Sequence, residues 1–155
     1  MQPLIQPSLG HRIGVISDTH GLLRPEAREA LEGVGQILHA GDIGDPHHLD
    51  VLARIAPVTA IRGNIDRGPW AEALPETASL TIGGLRIHMI HDRKALQADP
   101  SAEGWDVVIS GHSHKPGIEE TGATLWLNPG AAGPAASACR SRWLSSGKRQ
   151  AAPAP

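Results

Sequence analysis

The 155-residue chain contains no phenylalanine and no tyrosine, and its only aromatics are four tryptophans. Platforms for stacking single-stranded bases are therefore scarce. A single cysteine, Cys139, excludes an internal disulfide and suits a reducing compartment. No apolar run approaches the roughly 20 residues of a membrane-spanning helix. Residues 1–10 lack the basic and apolar regions of a secretory leader, so a cytoplasmic location is the default expectation. Charged residues make up only 19% of the chain, and the net charge is −2. No excess of one sign is present to attract a polyanion, which disfavours a basic nucleic-acid module. A small-molecule substrate fits this surface better than a membrane or nucleic acid, and the oligomeric state is left open.

Hydrophobic residues amount to 40%, enough for the core of one α/β domain. Residues 12–17, 36–40, 57–62 and 105–110 are short apolar runs and predict buried strands. Residues 77–82 and 85–90 flank Gly83-Gly84 and predict a hairpin; 118–120 and 124–127 predict another through Gly122. Helices are expected over 25–32, opened by Pro25, and from Pro46 to Ala56, capped by Asp45. Pro100 interrupts any long helix over 93–104. Strands alternating with helices predict a partly parallel, twisted sheet covered on both faces, made mixed by the hairpins. The domain is expected to span residues 11–130. Residues 131–155, rich in Ala, Ser, Arg and Pro and without strand alternation, are expected to form a poorly ordered or altered tail.

Nine histidines stand out against this background. Several apolar runs end in a ligand-type side chain, usually beside a glycine. These side chains are Asp18 and His20, Asp42, Asn64, His91, and finally His112 and His114. Open α/β sheets bind ligands beyond the carboxyl ends of their strands, so the order predicts that all seven meet at one rim. Gly41, Gly63 and Gly111 suit tight turns that aim these side chains inward. Two carboxylates, one carboxamide and four imidazoles, with no thiolate, suit Mn, Fe, Zn or Co better than an Fe–S cluster or calcium. Seven donors exceed what one ion needs. Two divalent ions less two aspartates leave a positive remainder for a phosphate anion.

Singly, each motif has an ordinary explanation. Asp-x-His is a common loop cap, Gly-Asp and Gly-Asn are turn dipeptides, and His91 alone reads as a strand-end histidine. Gly111-His112-Ser113-His114 is the most specific, although two histidines in a loop also suit a solvated turn. His11 reads as a surface residue, His39 and His88 as packed strand residues, and His47 and His48 as a solvated helix start. Asp66 is read either as a residue orienting a ligand histidine or as a solvated turn aspartate.

Ser17-Asp18-Thr19-His20-Gly21, His39-Ala40-Gly41-Asp42, residues 58–66, Gly111-His112-Ser113-His114 and Asn128-Pro129-Gly130 together resemble the calcineurin-like metallophosphoesterases. The resemblance is greatest to their small, single-domain bacterial and archaeal phosphodiesterases. It implies a four-layer α/β/β/α sandwich with mixed sheets and two divalent ions, manganese first, with Fe, Zn, Co or Ni as alternatives. One ion falls to Asp18, His20, Asp42 and His114, the other to Asp42, Asn64, His91 and His112, with Asp42 bridging. A hydroxide between the ions is then the nucleophile that cleaves a phosphate ester, a phosphodiester first, with Asn64 and His91 also steadying charge on the phosphoryl oxygens. Three positions depart from the pattern. Ile65 stands where many members carry a histidine after Gly-Asn, Asp92 follows His91 where glycine is usual, and the segment after Asn-Pro-Gly does not read as strands. Two other readings compete: a phosphomonoesterase or nucleotide hydrolase on the same residues, and a non-catalytic scaffold that keeps the fold.

Overall fold

Arg12–Ile16 forms β1, and its alternation explains how the layers assemble. Ile13 and Val15 point into one apolar cluster, Ile16 into another. Gly14 shares the Ile16 face, where a Cβ would collide with Leu31 Cδ2, so its missing side chain lets a helix approach the strand. The chain then alternates: α1 (Pro25–Ala30), β2 (Gln36–His39), α2 (His47–Ala53) and β3 (Val58–Ala60). β1, β2 and β3 pair in parallel, with Ile13 opposite Gln36 and Ile37 opposite Val58. Ala27, Leu31, Val34 and Leu52 pack on the outer face of this sheet around Ile16 and Ile37.

After the short α3 (Pro69–Glu72), a second sheet follows: β4 (Thr77–Ile82), β5 (Leu85–Ile90), β6 (Val107–Ile109), β7 (Gly117–Thr121) and β8 (Thr124–Asn128). Its order is β4-β5-β6-β8-β7, with β5, β6 and β8 parallel and both hairpins antiparallel. Its inner face, including Ile87, Met89, Val107, Ile109, Leu125 and Leu127, interlocks with Ile13, Val15, Leu38 and Ile61 of the first sheet. The alternation alone suggested one sheet. Two sheets form because each has an apolar face that the other covers. This is the mixed α/β sandwich that the resemblance implied.

The outer face of the second sheet is polar by comparison. It carries the single-turn α4 (Pro100–Glu103) and a 3-10 turn over Arg93–Ala95, neither of which buries a residue. His88 stacks on Trp105 with ring centroids 3.8 Å apart, and Arg93 lies 4.3 Å over Trp126.

The computed structural model describes residues 12–131 throughout and the backbone of 142–145 and 151–152. The late segment, which does not read as strands in the sequence, contributes two short ones. β9 (Arg142–Ser145) pairs antiparallel with β1, Ile13 opposite Leu144, and β10 (Ala151–Ala152) pairs with β9. A backbone ladder holds such a strand whether or not its side chains alternate. The first sheet is thus ordered β10-β9-β1-β2-β3, with β1 at its centre. The rest of the tail, Cys139 included, and His11 lie outside the described residues. Among the described residues no helix is long and apolar enough to cross a membrane.

Candidate metal centre

Five described residues other than glycine have a positive φ: Asp18 (55°), His20 (47°), Asp42 (57°), His112 (68°) and His114 (62°). All five belong to the seven singled out by sequence. The left-handed region costs a residue with a side chain about 1–3 kcal/mol and persists only where surrounding structure holds it. Here the loops after β1 and β2 are zipped together: Asp18 N–H donates to Gly41 O, His20 N–H to Asp42 O and Gly21 N–H to Ile43 O, each at 2.9 Å. In the second sheet, Gly111 N–H donates to His91 O at 2.9 Å, and His112 N–H donates to Asp18 Oδ2 at 3.1 Å.

The glycines work differently from the sequence expectation. Gly41 does take a positive φ of 99°. Gly63 and Gly111 do not. They are needed for close approach, since a Cβ on Gly63 would strike Asp42 and one on Gly111 would strike Ser17 and Asp18.

Both aspartates are buried, Asp18 at 0% and Asp42 at 4% exposure. Each anchors one oxygen and turns the other inward. Asp18 Oδ2 accepts from Ser17 Oγ at 2.6 Å and from His112 N, while Oδ1 accepts nothing. Asp42 Oδ1 accepts from Ile65 N at 3.1 Å, while Oδ2 lies 3.4 Å from His20 Nε2 and 3.2 Å from His91 Nε2. His114 Nε2 stands 3.3 Å from Asp18 Oδ1 and 3.2 Å from His20 Nε2. Asp18, His20, Asp42 and His114 each bring a ligand atom within 4.8 Å of the others.

His91 donates from Nδ1 to Ala40 O at 2.7 Å, which directs Nε2 toward the aspartates. That Nε2 is buried without a hydrogen-bond partner, 3.8 Å from the equally unpartnered Asp18 Oδ1. Burial disfavours a charge on this ring, but Asp42, the Ala40 carbonyl and Asp18 outweigh it and raise its pKa. Burial likewise pushes Asp42 up, and His91, the Ile65 amide and His20 more than offset it, lowering its pKa. Two buried carboxylates thus gather positive charge around them. His112 meets His91 edge-on, with ring centroids 5.3 Å apart, and its Nε2 lies 3.9 Å from Asp92 Oδ2. Asn64 is exposed and borders the same cavity as His91. The structure therefore brings six of the seven close by direct side-chain approach and sets Asn64 at the margin.

Two supports beneath the site were read less fully from sequence. Asp66 is neither solvated nor bonded to a ligand histidine. It is buried, and its carboxylate accepts from Ile43 N (3.1 Å), Gly63 N (2.8 Å) and Gly44 N (2.9 Å), tying the loops that carry Asp42 and Asn64. His39 is packed and hydrogen-bonded, as expected. Its Nδ1 accepts from Gly41 N at 3.2 Å, and its Nε2 lies 3.1 Å from Thr19 Oγ1, which donates to Ile43 O. Complete burial lowers the His39 pKa to about 3, so the ring is neutral at physiological pH. Leu22 and Ile65 are the exposed large hydrophobics among the described residues, and both sit within two positions of a site residue.

Known proteins resemble this chain in sequence and fold. The calcineurin-like phosphoesterase superfamily domain matches residues 12–143. The chain belongs to that superfamily. A probable metallophosphoesterase of Methanothermobacter thermautotrophicus is 41% identical over 130 residues, which are 76% of this chain and 75% of that protein. The structure also superposes on a novel archaeal phosphodiesterase with a TM-score of 0.71 and 25% identity, covering 91% of this chain and 97% of the other. Vacuolar protein sorting 29 of Cryptosporidium parvum gives a TM-score of 0.69 and 25% identity over 89% of this chain and 87% of its own. The match to the superfamily domain runs past residue 130 and into β9.

Proposed function

We propose that this phosphoesterase-superfamily member hydrolyses phosphate esters, phosphodiesters first, with two divalent metal ions and with manganese the leading candidate. The reading rests chiefly on one observation: two buried, unpartnered polar atoms, Asp18 Oδ1 and His91 Nε2, face each other inside a ring of carboxylates and imidazoles. A folded chain tolerates such atoms when something polar or charged completes them. The donor set of oxygen and nitrogen without sulfur fits a borderline divalent ion.

Asp18, His20, Asp42 and His114 would hold one ion, and Asp42, Asn64, His91 and His112 the other, with Asp42 shared. Bound there, divalent ions supply water that ionises near neutral pH and positive charge for the phosphoryl oxygens. The chain's own part is to hold the donors in place before metal or substrate arrives. The loop zipper fixes Asp18 and His20, Asp66 fixes the turn behind Asp42, and Ala40 O fixes the His91 ring. Asn64 and His91 stand where the cavity meets the donors and would touch the bound phosphate. Ile65 provides no proton for a leaving group, which favours esters of acidic alcohols. Retention of all seven donor residues supports hydrolysis over a scaffold role, and the archaeal phosphodiesterase that shares the fold supports diesters among the esters. Protein loaded with Mn should cleave bis-p-nitrophenyl phosphate. Loaded protein that leaves all mono- and diesters intact would favour the scaffold reading instead.

A further inference from the structure

A cavity of about 400 Å³ opens beside Asn64 and His91. Its size falls within the roughly 300–1,000 Å³ of small-molecule sites. The cation in its wall is Arg62, and that charge is engaged: Arg62 Nη2 donates to Glu76 Oε1 at 3.1 Å. Asp92 adds a further carboxylate, whose Oδ1 accepts from Lys94 N at 3.0 Å. The cavity thus offers no surplus positive charge to a second phosphate. It does offer apolar wall from Ile90 and Ala95 and a hydroxyl from Thr77.

We infer that this cavity is the subsite for the second ester group of a phosphodiester, and that it takes an uncharged group of aryl or nucleoside size. The inference rests on the phosphoesterase reading and names its substrate class. A monoester would leave the cavity to water, and a nucleoside polyphosphate would bring its extra phosphate against Asp92, with Arg62 already held by Glu76. Solvent screens this partly exposed carboxylate, so the discrimination comes mainly from the lack of an unengaged arginine or lysine in the cavity wall.

Two variants fill the cavity from different walls without touching the metal donors. Ala95→Trp acts from the exposed turn after β5, and Thr77→Trp from the exposed start of β4. Hydrolysis of bis-p-nitrophenyl phosphate and p-nitrophenyl phosphate is compared in the Mn-loaded wild type and both variants. Calorimetric binding of diphenylphosphinate, a diester analogue with two unbreakable P–C bonds, is compared with binding of phenylphosphonate, the monoester analogue. The variants should lose about tenfold in kcat/KM on the diester and in affinity for diphenylphosphinate, with the monoester and phenylphosphonate unchanged. Equal losses on both classes, or no loss in either variant, would overturn the subsite while leaving the phosphoesterase reading intact. A loaded wild type that hydrolyses neither ester would overturn both.

Discussion

The two sheets bring different material to the centre. The first supplies the carboxylates, fully buried and braced: Asp18 by Ser17 and the loop zipper, Asp42 by the turn that Asp66 holds. The second supplies His112 and His114 from the loop after β6, with side chains 46% and 34% exposed. His91 lies between these extremes, buried at the end of β5 and reaching across to Ala40. The charge that would attract a cation is therefore preorganised on one side together with His20, while two of the imidazoles that would complete its coordination, His112 and His114, come from a wetter edge. Stability and metal affinity should accordingly separate by side.

The sharpest break in this comparison comes from Asp42→Asn. It removes the negative charge from the proposed bridging ligand, and metal-dependent hydrolysis should be abolished, as read by turnover alongside metal content. Retained turnover would remove Asp42 from the site. Asp66→Ala should come next. It leaves the Ile43, Gly63 and Gly44 amides without their acceptor, a cost of about 1–3 kcal/mol for each group that stays buried and unpaired. A lowered denaturation midpoint together with weaker metal binding would fit a brace. A drop in neither would make Asp66 an ordinary turn residue.

On the exposed side the pattern should reverse. His112→Ala and His114→Ala should each weaken metal binding while costing less fold stability than Asp66→Ala, because both side chains are partly exposed. A large stability loss in either variant would erase the contrast between the two sheets. The remaining effect is confined to acid. His39 is depressed to about 3 in the folded chain and returns to its ordinary 6.5 on unfolding. Its contribution is fully present above pH 6.5. It is lost as pH falls toward 3, at up to about 1.4 kcal/mol per pH unit. His39→Gln should flatten the acid limb of a denaturation profile over that window, and an unchanged slope would contradict the assignment.

The centre was more legible in the sequence than its supports were. Donors that follow apolar runs must emerge at strand ends, so Asp18, Asp42, His91 and the His112–His114 pair could be placed from pattern alone. Asp66 could not. A carboxylate that accepts only from backbone amides leaves no partner residue in the sequence to find, and its spacing from Asn64 looked like a turn. The left-handed backbone at five donors was also hidden, because nearby glycines drew the conformational argument to themselves. Two of those glycines prove to be spaces for an aspartate. The pairing of Arg142–Ser145 with β1 escaped for a related reason, since it is held by backbone ladder and not announced by side-chain alternation.

Metal stoichiometry reaches the central point most directly. After exposure to Mn and removal of free ion, elemental analysis of the wild-type chain should find two ions per molecule, and the His114→Ala and His112→Ala chains should each hold fewer. A wild-type chain that retains no divalent ion under any loading condition would contradict the account.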